Sequence, residues 1–102
     1  MIARGTTLAA LAFLWQGSVA LAEGDVAYGE YLAGECTTCH LLGATEATGA
    51  VPLIAGHDPE VFVAMMQDYK LGYREHGAMQ MIAARLGDEE LAALAAFFAT
   101  QE

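Results

Sequence analysis

The segment Cys36-Thr37-Thr38-Cys39-His40 decides how this chain of 102 residues is interpreted. Two thiols separated by two residues on a helical turn can add to the two vinyl groups of a haem, and the adjacent imidazole can reach the iron. Every reactive residue of the motif therefore has a role in binding one cofactor. The motif predicts covalent attachment of haem c through Cys36 and Cys39, with His40 as an axial ligand of the iron.

Two other kinds of site use a pair of cysteines at this spacing. A redox-active dithiol normally opens a helix that follows a buried strand, and no strand pattern precedes Cys36. A structural zinc site needs a second CxxC motif or two histidines at finger spacing, whereas the chain contains only these two cysteines. Both alternatives stay open, but the sequence context favours haem attachment.

The first 22 residues have the pattern of a secretory signal peptide. Arg4 precedes an apolar run over residues 8–15, and Ala20-Leu21-Ala22 forms a small-residue cleavage site. The run is too short for a membrane span, which needs about 20 apolar residues. We therefore expect cleavage after Ala22, export to the periplasm and no stable membrane insertion. Export agrees with the motif, because bacterial haem c is attached outside the cytoplasmic membrane.

Residues 23–102 would then form one small acidic domain. The whole chain has a net charge of −9, and because Arg4 lies in the leader the domain has a net charge of −10. Neither nucleic acid nor an anionic membrane attracts such a surface, so we expect no nucleic-acid partner and favour a redox protein with a basic patch. A domain of this size commonly needs a disulfide, a metal or a large cofactor for stability, and haem would supply it.

Helical periodicity predicts an all-α fold, because apolar residues recur at helical spacing and no segment alternates as a half-buried strand would. Asp25 and Asp58 are expected helix caps, and Pro59 occupies a favourable first helical position. Gly72 follows the middle helix as a stop signal. The three expected helices run from Asp25 to Cys36, from Asp58 to Leu71, and onward from near Gly87.

Each expected helix has an apolar face that would contribute to a common core. Residues 42–56 are instead rich in Gly, Thr and Ala and include Pro52, which indicates a loop folded over a cofactor. The expected inner residues are Val26, Tyr28 or Gly29, Leu32 and Ala33 in the first helix, Phe62, Met66 and Tyr69 in the second, and Leu91, Leu94, Ala95 and Phe98, flanked by Phe97, in the last.

With the CxxCH motif, two further segments make residues 24–101 resemble a class I c-type cytochrome. Pro52-Leu53-Ile54-Ala55-Gly56 begins twelve residues after His40, and a methionine segment precedes Leu86-Gly87-Asp88-Glu89-Glu90. The resemblance implies the class I cytochrome c fold, with three to four helices around one covalently bound haem. It also implies that the Pro52 carbonyl accepts the Nδ1 proton of His40.

The resemblance implies a methionine as the second axial ligand, and two methionines compete for this role. Met79 stands seven residues before Leu86, as the family spacing requires, whereas Met81 is expected to pack against haem or core. His57 and His76 are expected at the surface. A His76 ligand, which would give a bis-histidine iron of lower potential, stays as a minor alternative.

Further residues are expected to contact the haem or to position helices around it. Ile54, Tyr69 and Arg74 are assigned to the cofactor site. Lys70, Tyr73 and Arg74 are candidates to neutralise the haem propionates. The resemblance also implies that Gly29 allows the first and last helices to cross closely against Phe97 or Phe98. Gly87 stands where the family usually has serine, so Asp88 is expected to cap the last helix.

A narrower resemblance concerns the role of the domain. The segments 52–56, 68–74 and 79–98 are similar to the monohaem cytochrome subunit of flavocytochrome c sulfide dehydrogenase and to related small periplasmic cytochromes. This similarity implies a non-catalytic electron-transfer subunit whose partner is an FAD-containing, sulfide-oxidising protein. The alternatives are a free electron carrier to an oxidase or reaction centre and, less favoured, a haem peroxidase or ligand sensor with an open iron position.

Overall fold

The computed structural model describes Gly5 and residues 24–42 and 51–102. The expected signal peptide, apart from Gly5, and residues 43–50 of the expected loop lie outside the described residues. Four α-helices occur in the described part of the chain, which confirms the all-α prediction; they are α1 (Val26–Leu32), α2 (Pro59–Leu71), α3 (Gly77–Ala84) and α4 (Asp88–Ala99). None of these helices is long and apolar enough to cross a membrane.

The first helix begins as predicted and ends earlier than predicted. The Asp25 carboxylate caps it by accepting hydrogen bonds from the amides of Ala27 and Tyr28 at 2.9 and 3.2 Å. The helix stops at Leu32 instead of reaching the cysteines, and residues 33–39 continue as turns. Gly34 is a poor helix former, and the hydroxyls of two following threonines bond to its carbonyl at 3.3 Å, so local side-chain bonds compete with the helical pattern.

The second helix has the boundaries that its sequence signals predict. The Asp58 carboxylate accepts from the amides of Glu60 and Val61 at 2.9 and 3.4 Å, and Pro59 occupies the first turn. Gly72 ends the helix in the left-handed conformation, with φ of 82°, which glycine adopts without steric cost. Both ends of α2 are therefore fixed by local chemistry.

Replacing Asp58 by alanine should lower the free energy of unfolding by about 1 kcal/mol, because two amides at the start of α2 lose their acceptor. For a domain of this size the melting temperature should fall by roughly 4–8 °C. Thermal unfolding followed by circular dichroism measures the change. Asp58→Asn retains a capping oxygen and should unfold close to the wild type; equal losses in both variants would contradict the capping role.

The third helix is the element that the sequence signals do not predict. Its N-cap is His76, whose Nδ1 accepts a hydrogen bond from the Met79 amide at 3.3 Å. Histidine is not among the residues preferred at this position, so the start of α3 lacks the usual sequence signature. This helix carries both Met79 and Met81.

The last helix begins at Asp88 with Gly87 as its N-cap, so the expectation that Asp88 caps the helix is wrong. Gly87 has no side chain to cap with, but the Glu90 carboxylate accepts a hydrogen bond from the Gly87 amide at 2.6 Å. This is the glutamate half of a capping box. Three acidic residues in the first turn also interact favourably with the positive end of the helix dipole.

The core is built on α4, against which both α1 and α2 pack, while α3 packs against α2. Phe98 is fully buried, and its ring centroid lies 5.6 Å from that of Phe62 and 5.2 Å from that of Phe97. The inner faces predicted for α2 and α4 are confirmed. The inner position predicted for Val26 is wrong, because its side chain is 43% exposed while Gly29 and Ala33 carry the buried face of α1.

Gly29 makes the crossing of α1 and α4 possible, as the family resemblance implies. A Cβ atom at this residue would overlap the carbonyl oxygen of Ala93 and lie 2.8 Å from the Cβ of Phe97. The two helix backbones therefore approach more closely than any side chain at this residue allows. The crossing holds the turn segment that follows α1, including both cysteines, at a defined position on the core.

Candidate functional site

One cavity of about 740 Å³ brings together the predicted haem-attachment, axial-ligand and cofactor-site residues, but not the propionate candidates Lys70 and Tyr73. Its lining comes from the turn after α1, the segment 51–57, the inner face of α2 and the helix α3. The predicted residues that line it are Cys36, Cys39, His40, Pro52, Ile54, Tyr69, Arg74 and Met79. A wider groove of about 1120 Å³ between α1, α2 and α4 contains none of them.

The two cysteines and the histidine lie on consecutive turns of the segment after α1. The amides of Cys39 and His40 both bond to the carbonyl of Cys36, at 3.2 and 2.8 Å. This local winding places the two thiols one turn apart on the same cavity, with Cys36 half-buried and Cys39 exposed. Burial raises the pKa of the Cys36 thiol above its ordinary value, and the adjacent Glu35 carboxylate raises it further.

His40 is oriented by the contact that the family resemblance implies. Its Nδ1 lies 2.8 Å from the Pro52 carbonyl oxygen, so Nδ1–H donates a hydrogen bond to the carbonyl. The lone pair of Nε2 is therefore free to bind a metal ion. The proline segment is itself held on the core, because the Gly56 amide donates to the Phe98 carbonyl at 2.9 Å. The orientation of the imidazole is thereby fixed through the C-terminal end of α4.

The structure distinguishes the two competing methionines. Met79 is half-buried and packs against the hydrophobic core, whereas the Met81 side chain is 72% exposed. Both line the cavity, so of the two positions expected for Met81 the core is wrong, and packing against the haem stays a prediction. A thioether that is held by packing has a defined position, and Met79 is the better placed of the two to act as a fixed ligand.

The two remaining histidines also line the cavity, and the surface position expected for them is confirmed for His76 but not for His57. His57 is half-buried, and its Nε2 lies 3.0 Å from the Leu53 carbonyl, to which it donates. His76 is exposed and uses Nδ1 to accept from the Met79 amide, so the ring proton resides on Nε2. Both rings are thus engaged in local hydrogen bonds that organise the lining.

Several lining residues have no site role predicted from the sequence. Phe62 and Met66 are expected only as core residues, and they face both the core and the cavity. Helical spacing indicates their burial but cannot show that the buried face of α2 is shared between core and cofactor site. The other lining residues of this kind include Glu35, Val51, Leu53, Met65, Ala78, Ile82 and Arg85.

Of the three side chains considered for neutralising the propionates, one is at the cavity. Arg74 lines it, and its guanidinium lies 5.6 Å from the centroid of the Tyr69 ring. Lys70 points elsewhere and donates from Nζ to the Leu86 carbonyl at 2.6 Å, which links α2 to the segment after α3. Tyr73 is 80% exposed and does not line the cavity. Of the three candidates, Lys70 and Tyr73 therefore lie away from the cavity lining.

The donor set fits a haem. Two thiols one helical turn apart, an imidazole with a free Nε2 and a core-packed thioether share one cavity whose wall is largely apolar. Over 85 residues the chain is 32% identical to cytochrome c-554(548) of Halomonas halodenitrificans, and the alignment covers 78% of this chain and 99% of that protein. The chain belongs to the class I c-type cytochromes. Covalently bound haem c is therefore its cofactor.

Other comparisons agree with this family. The cytochrome is 33% identical over 84 residues to cytochrome c4 of Pseudomonas aeruginosa, covering 82% of this chain and 42% of that protein. It is 40% identical over 62 residues to the thiosulfate dehydrogenase electron acceptor of Stutzerimonas stutzeri, covering 60% of this chain and 29% of that protein. The cytochrome thus spans less than half the length of both proteins. No family model matches it.

Proposed function

We propose that this cytochrome is a non-catalytic electron carrier in which one haem c has His40 and Met79 as its axial ligands. The observation that supports this most strongly is the single cavity in which both residues meet the two cysteines of the attachment motif. When bound, the haem supplies one-electron exchange between Fe(III) and Fe(II). With both axial positions taken by protein side chains, no position remains for a substrate, and no residue is assigned a catalytic role.

Each residue of the cavity has a defined task in this proposal. Cys36 and Cys39 hold the porphyrin through thioether bonds. The Pro52 carbonyl fixes the tautomer and orientation of His40, which leaves Nε2 for the iron. The Met79 thioether favours the reduced iron and raises the reduction potential. Ile54, with the aromatic and sulfur-containing side chains around it, limits access of water, and Tyr69 and Arg74 provide polar contacts at the cavity.

Removing both thiols should abolish covalent attachment. In the variant carrying Cys36→Ala and Cys39→Ala, haem should extract into acidic acetone, whereas the wild type should keep it on the chain. A pyridine haemochrome assay and the intact mass measure this. Thr37→Ala is the matched control, because within the described residues its hydroxyl bonds only to the Gly34 carbonyl, and it should retain the haem. Release of haem from the wild type would contradict covalent attachment.

Export is part of the same proposal. The pattern of residues 1–22 supports a leader that is cleaved after Ala22, and the periplasm is where we place the mature cytochrome. The intact mass of the wild type from a periplasmic fraction should equal residues 23–102 plus one haem. A mass that retains the leader would contradict the cleavage site.

As electron donor we propose a dehydrogenase that oxidises a reduced inorganic sulfur compound. The resemblance to the haem subunit of flavocytochrome c sulfide dehydrogenase favours an FAD-containing partner. The similarity to a thiosulfate dehydrogenase electron acceptor supports the same class of donor. The net charge of −10 on residues 23–102 suits a partner with a basic docking patch.

Gel filtration of a native extract separates a bound subunit from a free carrier. Haem and flavin absorbance that elute together support the flavoprotein complex. A lone small haem peak contradicts it and favours a free carrier that delivers electrons to an oxidase or reaction centre. The third alternative, a haem peroxidase or ligand sensor, requires an open iron position and is tested by ligand binding to the reduced protein.

A further inference from the structure

The helix that carries Met79 is joined to the rest of the domain over a small area. Among the described helices, α3 packs against α2 alone, whereas α4 packs against both α1 and α2. Ala83 is the one buried residue of α3, and Met79 itself is half-buried. An element with few buried apolar contacts opens locally at a low cost in free energy. Polar contacts at the ends of α3 can therefore change measurably how firmly Met79 is held.

An ion pair connects the C-terminal end of α3 to the turn that carries the two cysteines. Arg85 is the C-cap residue of α3, and Glu35 directly precedes Cys36. The Nη1 and Nη2 atoms of Arg85 lie 3.4 and 3.5 Å from Oε1 and Oε2 of Glu35, respectively. The guanidinium therefore faces the carboxylate with both of its terminal nitrogen atoms, an arrangement with more geometric specificity than a single contact.

The ion pair crosses the cavity between two of its walls. Both residues line the cavity, although they are 50 positions apart in the sequence. Within the described residues, no other hydrogen bond or ion pair joins α3 and its C-cap to the turn segment 33–40. The contact of Lys70 with the Leu86 carbonyl secures the same end of α3, but it secures it to α2.

We propose that Glu35 and Arg85 are positioning residues whose ion pair acts as a clasp, holding α3 at the cavity and thereby keeping the Met79 thioether available as an axial ligand. One end of the clasp is the turn to which haem is attached, and the other is the helix that supplies the methionine. Breaking the clasp lets α3 move away more often, which exposes the axial position to an external ligand. This inference rests on the axial role proposed above for Met79.

The test is a titration of the oxidised holo-protein with imidazole. Imidazole competes with Met79 for the iron, so its apparent affinity is proportional to the fraction of molecules in which α3 has opened. Glu35→Gln and Arg85→Gln should each raise this affinity by roughly 1.5- to fivefold, the range expected for an exposed ion pair. Loss of the sulfur-to-iron charge-transfer band during the titration measures binding.

Glu30→Gln is the matched control for charge. It removes one negative charge from an exposed residue of α1 that forms no ion pair within the described residues. Its affinity for imidazole should equal that of the wild type. The double variant Glu35→Gln with Arg85→Gln should bind imidazole as each single variant does, because both changes break one contact. Additive single effects, or an equal rise in Glu30→Gln, would overturn the proposal.

Salt separates the clasp from a packing effect. Both side chains are exposed, at 60 and 59%, so the ion pair is open to screening. The affinity of the wild type should rise with added salt and reach that of Glu35→Gln near about 1 M, where the Debye length is about 3 Å. A difference that persists at this salt concentration would overturn the clasp. If Glu35→Gln fails to attach haem, Arg85→Gln and the same salt series provide the decision.

Failure of this inference is distinguishable from failure of the proposed function. All variants are first checked for covalent haem and for the charge-transfer band of the oxidised protein. A wild type without the band contradicts Met79 as the axial ligand, whatever the ion pair does. A wild type with the band, together with unchanged imidazole affinity in Glu35→Gln and Arg85→Gln, overturns only the clasp.

Discussion

Replacing Met79 by alanine should abolish the sulfur-to-iron charge-transfer band of the oxidised protein. The same change should lower the reduction potential by roughly 0.1 V or more, since axial ligands set haem potentials over a range of about 0.8 V. The physical reason is that the thioether favours Fe(II), and the ligand that replaces it, water or a nearby nitrogen, favours Fe(III). Optical spectra and a potentiometric titration of the purified holo-protein measure both effects.

The matched control is Met81→Ala. Met81 lies two residues away on the same helix and lines the same cavity, but its side chain is 72% exposed and is absent from the packed core. We expect this variant to keep the band and a potential close to that of the wild type. A band that survives Met79→Ala and disappears in Met81→Ala would reverse the ligand assignment.

Replacing Gly29 by alanine should destabilise the fold by about 2–4 kcal/mol, although alanine is the better helix former. The propensity gain is about 1 kcal/mol in a helix interior. Steric overlap outweighs this gain, because the new Cβ would overlap the Ala93 carbonyl oxygen and lie 2.8 Å from the Phe97 Cβ. A backbone carbonyl in a packed helix cannot rotate away as a side chain can, so α1 and α4 must move apart.

Thermal unfolding of the holo-protein measures this loss. The melting temperature should fall by roughly 8–32 °C, given about 4–8 °C for each kcal/mol in a domain of this size. Gly34→Ala is the control, because the nearest atom to a Cβ there is the Tyr31 carbonyl oxygen at 3.9 Å, an ordinary contact. It should change stability by less than about 1 kcal/mol. Equal melting temperatures for Gly29→Ala and Gly34→Ala would contradict the close crossing.

Local sequence signals are sufficient to predict the helices whose ends or buried faces are set by neighbouring residues. Asp58 and Gly72 define both ends of α2, and the apolar stripe from Leu91 to Phe98 defines the buried face of α4. Each of these signals depends on a few neighbouring residues, which a single sequence displays. The contact between His40 and Pro52, which the structure contains, is instead implied by the resemblance to class I c-type cytochromes.

The errors have physical causes that a single sequence does not display. Helix α3 begins at His76, whose ring nitrogen caps it in place of a standard capping residue. Helix α1 stops at Leu32 because threonine hydroxyls compete for the Gly34 carbonyl, and this competition depends on rotamers. Charge alone makes Lys70 a candidate for the propionates, and only the tertiary fold shows that it reaches the Leu86 carbonyl.

The measurement that tests the central claim most directly is the optical spectrum of the reduced wild-type protein before and after addition of carbon monoxide. The claim is that His40 and Met79 occupy both axial positions of a single haem c that only transfers electrons. It predicts an unchanged spectrum at neutral pH, since no position on the iron is open. Rapid conversion to the carbon monoxide adduct would contradict the claim and favour a haem enzyme or ligand sensor.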